Sequence, residues 1–355
     1  MIDIDGGQKS GSGTILRLAV AIAAIRGQAL HITNIRQKRP NPGLKHQHLE
    51  SVLTAAKLCN AEIKGATLGS EEFWFTPKEI QGGNIEATIE TAGSIPMLFL
   101  STLPICLFAK TPVQLHVARG GTDTRNAPTI NYLRNILLPS LTKMGITAQI
   151  NVQKYGYYPK GAGEATLTVK PNPHLNPFVL EAFGKLKTIG GVSVCTFLAN
   201  REVAQRQAKA AQTCLAQNGH PTDIEVIKDR ANPSQKGSSL TLWAKTDTEV
   251  IIGADAIGEI QKMAEDVGRE AAQSLNKELT AQPTVDEFLA DMLIPYMALS
   301  EGRSAFLTRC ITEHIEANIW LMEKMLNVKF NLTKHNNLYR IEKTATADND
   351  GEVYG

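Results

Sequence analysis

Apolar positions along the first 180 residues alternate between a period near two and a period near 3.6, the spacings of half-buried strands and amphipathic helices. The pattern predicts strand Ile2–Asp5, helix Thr14–Ile25, strand Ala29–Ile35, helix His46–Cys59, then short strands Ala61–Lys64 and Glu72–Phe75. The same order recurs as strand Asn84–Glu90, helix Ser94–Ala109, strand Val113–Ala118, helix Ala127–Met144, and strands Thr147–Val152 and Glu164–Val169. Two β-α-β-α-β-β units are legible by pattern, with little side-chain identity between them. Helices Val285–Ala298 and Glu313–Leu326, followed by strands Val328–Leu332 and Asn337–Ile341, supply part of a third.

Between Phe183 and Leu279 the rhythm changes. Strand Thr188–Cys195, helix Glu202–Ala216, strands Asp223–Ile227, Ser239–Ala244 and Glu249–Ala254, and helix Ile257–Leu275 read as a small α/β domain inserted into the third repeat. Pro171, Pro173 and Pro177 precede it and Pro283 follows, as in linkers. The expected fold class is α/β of the α+β type, with a repeat domain over 1–182 and 280–344 and an insert over 183–279. Residues 345–355, rich in Asp and Gly, read as a disordered tail.

At 355 residues the chain exceeds the roughly 250–300 at which one hydrophobic core stops growing, which agrees with two units. A net charge of +2 excludes a surface coated for bulk nucleic-acid binding, so any RNA contact must come from a local cluster. Arg36, Lys38, Arg39, Lys45, His46 and His48 form one. Five cysteines without CxxC spacing indicate neither a zinc site nor a disulfide framework. The N-terminus shows no signal-peptide pattern, and the longest apolar stretch is too short to span a bilayer. The expectation is a soluble cytoplasmic protein with no membrane partner.

Three segments carry candidate chemistry. Asp5 to Thr14 is a glycine-rich turn leading into a helix, with Arg17 one turn inside; it reads either as a tight turn or as a phosphate cradle. Asn34 to Leu49 sets basic and amide side chains around a Pro-Gly turn, a solvated loop or a polyanion site. The third is Thr312 to Trp320. Ile315, Ile319, Met322 and Leu326 share one helical stripe, while His314 and Asn318 share the adjoining face, so the histidine reads as presented, not packed. Near neutral pH an imidazole is largely uncharged and nucleophilic, and a helix N-terminus disfavours its protonated form while attracting phosphate.

Read together, Ile35-Arg36, Pro42-Gly43-Leu44, Gln47-His48-Leu49, Thr91-Ala92-Gly93-Ser94, Gly120-Gly121-Thr122-Asp123, Ala127-Pro128, Gly156-Tyr157-Tyr158-Pro159, Phe288-Leu289-Ala290-Asp291 and the His314 segment resemble the RNA 3′-terminal phosphate cyclase family over essentially the whole chain. The resemblance implies three β-α-β-α-β-β repeats like the C-terminal domain of translation initiation factor 3, plus a thioredoxin-like insert. It implies a ligase-type enzyme that consumes ATP, with Mg or Mn, to turn an RNA 3′-phosphate end into a 2′,3′-cyclic phosphate, releasing AMP and pyrophosphate.

By the same resemblance His314 is the nucleophile that takes up AMP. Arg17, Arg36, Arg39 and Gln47 contact phosphates, and Phe288 stacks on adenine with Pro128 and Tyr132 near the same face. Asp291 meets the ribose, within a nucleotide-binding run Phe288, Leu289, Ala290, Asp291 and Met292. Three positions depart from the family pattern: Ser10 stands where an acidic residue near the metal is expected, Leu100 where a glutamine is, and Tyr155 where a histidine is. The metal ligands, the oligomeric state and the physiological RNA are left open. So are two other readings: an RNA-binding or RNA-processing relative that no longer adenylates, and an adenylating enzyme with another acceptor. His314 argues against the family's non-catalytic branch, which lacks it.

Overall fold

The computed structural model describes residues 1–344; the expected C-terminal tail at 345–355 lies outside them. The chain begins with β1 (Ile2–Asp5), α1 (Gly13–Arg26), β2 (Leu30–Thr33), α2 (His46–Cys59), β3 (Glu62–Lys64) and β4 (Phe73–Thr76). These strands form one sheet in the order β1-β2-β4-β3, with β1 and β2 parallel and the other pairs antiparallel. A parallel pair needs a crossover, and α1 provides it. Ser12 caps α1 by accepting from the Thr14 N–H, and Gly27 ends it at φ 61, in the left-handed region. Ile15, Leu16, Ala19 to Ala24 and even Arg17 are buried, so α1 is a core helix, not a surface one.

β5 (Gly83–Thr88), α3 (Ile95–Cys106), β6 (Val113–Gly120), α4 (Ile130–Tyr132), α5 (Leu138–Leu141), β7 (Thr147–Lys154) and β8 (Gly163–Lys170) follow. The second sheet runs β5-β6-β8-β7 and repeats the pairing directions of the first. The single helix expected over Ala127–Met144 is broken. A π-helical turn, Leu133–Leu137, separates α4 from α5, and a 3-10 turn, Thr142–Met144, ends the run. Pro139 has no N–H to offer the Asn135 carbonyl, so the α-helical ladder cannot pass through that point.

The third unit begins with β9 (Val179–Leu180), and its next strand lies more than 120 residues later. Between them run β10 (Leu186–Thr196), α6 (Val203–Ala216), β11 (Asp223–Asp229), β12 (Gly237–Thr246), β13 (Ile251–Ile257) and α7 (Ala264–Ala281). They make a fourth sheet, β11-β10-β12-β13, with its own apolar cluster around Leu240, Leu242, Ala271 and Leu275. Ile257 closes β13, so the helix expected from Ile257 starts seven residues later, after an exposed turn.

α8 (Glu287–Leu299), β14 (Ser304–Thr308), α9 (Glu313–Leu326), β15 (Phe330–His335) and β16 (Leu338–Lys343) complete the third sheet, β9-β14-β16-β15. β9 and β14 were not anticipated. β9 has two residues, and β14 is buried at all five positions, so neither shows the alternation by which a strand is recognised. Three sheets thus share one strand order, the first two strands parallel and the rest antiparallel. α1 packs on α2, α3 and α9, and α8 packs on α9 and α3.

Candidate functional site

The first turns of six helices converge on one cavity of about 890 Å³. Its lining includes Ser12, Gly13, Thr14 and Arg17 at the start of α1, Gln47 and His48 in α2, Ser94 and Met97 at α3, Pro128 and Tyr132 at α4, Phe288, Asp291 and Met292 in α8, and His314 with Asn318 in α9. Helix N-termini carry unpaired N–H groups and a partial positive charge, so this convergence favours an anion.

The side chains add to that field. Arg17 is 7% exposed, and burial with repulsion from Arg36 pushes its pKa down to about 10, opposed by Asp291. Arg36 is lowered by burial and by Arg39. Its backbone sits at φ 57, and Nη1 donates to the carbonyls of Asn41 at 2.7 Å and Gly43 at 2.9 Å, so the loop is folded around its own guanidinium. Arg39 is exposed at the rim. His48, buried beside them, is driven down to about 2 by burial, Arg17, Arg36 and Lys45, and is neutral. Gly13 has to be glycine here, because a Cβ would lie 2.2 Å from His48 Nε2. Cations that lower one another's pKa around an open cavity mark a place where an anion would relieve the repulsion.

His314 lines this cavity, but the imidazole is half-buried and not fully presented as the sequence suggested. Thr312 caps α9, its Oγ1 accepting from the Ile315 N–H at 3.2 Å. Burial lowers the His314 pKa, Arg39 and Arg17 lower it further, and Glu313 opposes them. The ring is therefore uncharged at neutral pH. Its Nδ1 is buried, which leaves Nε2 as the nitrogen available to a ligand. Asn318, expected on the same open face, is 3% exposed and donates from Nδ2 to the Asp291 carbonyl at 2.8 Å.

Of the other expected residues, Arg17, Arg36, Arg39, Gln47, Pro128, Tyr132, Phe288, Asp291 and Met292 all line the cavity. Leu289 and Ala290 do not. Both are fully buried in the core, because a helical period places 288, 291 and 292 on one face and turns 289 and 290 away. Gln47 Oε1 accepts from the Ser94 N–H at 2.9 Å, which fixes α2 to α3 and leaves the amide N–H groups for a ligand. Tyr132 is fully buried, its hydroxyl donating to Asp286 Oδ1 at 2.6 Å. Phe288 is 47% exposed, a free ring at the cavity wall. Asp291 is raised to about 7 by burial and Asp286 against the pull of Arg17.

The departures from the family pattern fall as follows. Leu100 lines the cavity, Ser10 is buried with its hydroxyl 3.0 Å from that of Ser12, and Tyr155 is buried outside the lining, in a hydrogen bond with Asn131. Among the described residues no three His, Cys, Asp or Glu side chains cluster as a metal cage, so the protein groups do not by themselves fit a resident ion. Sequence reasoning missed one wall altogether. Asp255, Ala256 and Ile257 of β13, Glu259 in the turn that follows and Glu270 of α7 line the cavity from the inserted segment. Asp255 accepts from the Thr129 N–H at 2.7 Å and is raised to about 6 by burial, Asp286 and Glu270. Single carboxylates with no motif around them leave no local signal.

The cavity thus brings together helix starts, mutually repelling arginines, a neutral imidazole, an exposed aromatic ring and an acidic wall. Comparison with known proteins agrees. The profile of RNA 3′-terminal phosphate cyclase matches residues 8–332. The chain is 42% identical over 342 residues to the RNA 3′-terminal phosphate cyclase of Methanococcoides burtonii, covering 96% of this chain and 99% of that protein. It is 41% identical to the protein of that name from Pyrobaculum neutrophilum, at 96% and 97% coverage, and 41% identical to that from Pyrococcus furiosus, at 93% and 94%. On a match of this extent, with the motifs gathered around one cavity, the chain belongs to the RNA 3′-terminal phosphate cyclase family.

Proposed function

We propose that the protein uses ATP to convert the 3′-terminal phosphate of RNA into a 2′,3′-cyclic phosphate through a covalent histidyl-AMP on His314. The observation that carries this reading is the uncharged imidazole of His314 in the same cavity as Arg17, Arg36 and Arg39. The Nε2 lone pair attacks the α-phosphorus of ATP; an N–P bond forms, the P–O bond to pyrophosphate breaks, and the arginines take up the charge on the leaving group. An oxygen of the RNA terminal phosphate then displaces His314, giving an anhydride to AMP. The adjacent 2′-hydroxyl attacks the terminal phosphorus and expels AMP, a step favoured by enforced proximity.

Phe288 supplies a stacking face for adenine, with Pro128 alongside, and Asp291 and Met292 flank the ribose. Mg or Mn is proposed to enter on the triphosphate, held mainly by phosphate oxygens and water, and no step is assigned to a protein-held ion. We assign residues 1–182 and 280–344 to one domain of three units similar to the C-terminal domain of translation initiation factor 3, a reading supported by their common strand order. Residues 183–279 are the insert, thioredoxin-like in arrangement, and the enzyme is assigned to the cytoplasm, where RNA ends meet ATP.

The test is incubation with α-labelled ATP and Mg or Mn. Label that survives denaturation, is released by acid and is absent from His314→Ala supports the proposal, as does conversion of a 3′-phosphorylated oligonucleotide to a phosphatase-resistant end. No adduct at any pH or with either metal would leave an RNA-binding relative that does not adenylate.

A further inference from the structure

Three buried polar atoms of residues that line the cavity have no hydrogen-bond partner among the described residues: Oη of Tyr296 on α8, and Nδ1 of His314 and Oδ1 of Asn318 on α9. The last two belong to one helix, four residues apart, where side chains stand one above the other on the same face. The orientation of the Asn318 amide is set by its neighbour. The Asp291 carbonyl can only accept, so the group facing it at 2.8 Å is the NH2, and the oxygen must point elsewhere. That oxygen is an acceptor with no donor. Leaving such groups unpaired costs about 1–3 kcal/mol each, so a pairing that satisfies both is strongly favoured.

Only one form of the imidazole can make the pair. With the proton on Nε2, Nδ1 offers a lone pair to another lone pair. With the proton on Nδ1, the ring donates to the amide oxygen, and Nε2 is left bare toward the cavity. We propose that Asn318 is a positioning residue: its Oδ1 accepts the Nδ1–H of His314 after a side-chain rotation, holding the ring in the tautomer whose Nε2 is free to attack phosphorus. Attack through Nε2 places positive charge on the ring while Nδ1 keeps its proton. The Nδ1–H then becomes a stronger donor, so the contact tightens as the N–P bond forms.

The proposal rests on the nucleophilic role of His314 and is tested separately from it by 15N NMR of histidine-labelled protein, with His314→Ala to assign the signals. The wild-type ring is expected in the Nδ1–H form, Nε2 unprotonated. Asn318→Leu removes both contacts of the amide; Asn318→Asp keeps an acceptor toward His314 but loses the donor toward Asp291. Asn318→Leu should shift the ring toward the Nε2–H form and slow adduct formation roughly 10- to 100-fold, the range seen when partners that orient metal-ligating imidazoles are removed. Asn318→Asp should keep the Nδ1–H form and recover most of the rate.

An Nε2–H ring in the wild type, an unchanged tautomer in folded Asn318→Leu, or equal loss in both variants overturns the proposal, the last result meaning that Asn318 serves only to tie α9 to α8. An Nδ1–H ring that shifts as expected, in a protein that forms no adduct, sinks the histidyl-AMP reading and leaves the positioning role standing.

Discussion

Arg17→Met should make the protein more stable and its nucleotide binding worse. The guanidinium is buried at the start of α1, is repelled by Arg36 and drawn by Asp291, and donates from Nη2 to Thr14 Oγ1 at 3.4 Å. A pKa pushed from the ordinary arginine range down to about 10 means that the charged form is disfavoured by a few hundredfold. At about 1.4 kcal/mol for each factor of ten, the charge costs the free protein roughly 3 kcal/mol at neutral pH. Methionine retains much of the apolar stem and its packing but removes the charge. After allowing for the weak Thr14 contact, a gain of about 1–2 kcal/mol remains.

Chemical unfolding at pH 7 should therefore show a higher midpoint with an unchanged slope, and thermal unfolding should rise by a few degrees. In titration calorimetry the same variant should bind ATP roughly 10- to 100-fold more weakly, since a charge-assisted contact to phosphate is worth about 1.5–3 kcal/mol. A lower unfolding midpoint together with unchanged ATP affinity would refute the reasoning, because Arg17 would then be a structural cation and not a receiver of phosphate.

Two further outcomes follow from the electrostatics and the caps. His48, neutral and driven to about 2, binds no proton in the folded chain where the unfolded chain takes one up; stability is present above about pH 6.5 and falls toward lower pH by about 1.4 kcal/mol per pH unit from this group. Urea unfolding should lose about 1.3 kcal/mol from this group between pH 7 and pH 5.5, and His48→Gln should remove that loss. Asp286 caps α8 and accepts from Tyr132 Oη and the Gly253 N–H, so Asp286→Ala should cost about 3–5 kcal/mol, whereas Tyr132→Phe, which removes one of these donors, should cost about 1 kcal/mol. Equal losses in the two variants would show that Asp286 acts through the tyrosine alone.

Much of the fold was legible because the apolar period that marks α1, α2 and α9 is a local property of the chain, and the caps found in the structure are local as well. Ser12 before α1, Thr312 before α9 and Gly27 after α1 are local signals, and the structure uses each of them. What was not legible depended on burial from outside the segment. β14 is buried at all five positions, Ser304 and Thr308 included, because both its faces are covered, and the break between α4 and α5 turns on one missing N–H at Pro139. The site divides in the same way. Residues named from contiguous motifs reach the cavity when the helical period points them there, as with Phe288 and Asp291, and fail when it does not, as with Leu289 and Ala290. Asp255 and Glu259 entered only once the fourth sheet had been folded against the loop before α4.

The meeting of six helix starts has a consequence for biosynthesis. The earliest contributor, α1, is made within the first 26 residues, while the last, α9, emerges only after residue 312. A ribosome-bound or prematurely terminated product therefore holds Arg17, Arg36 and Arg39 but lacks His314, and the face of α1 that packs on α9 is left uncovered. The cavity, with walls drawn from both ends of the chain, is complete only when synthesis is nearly finished.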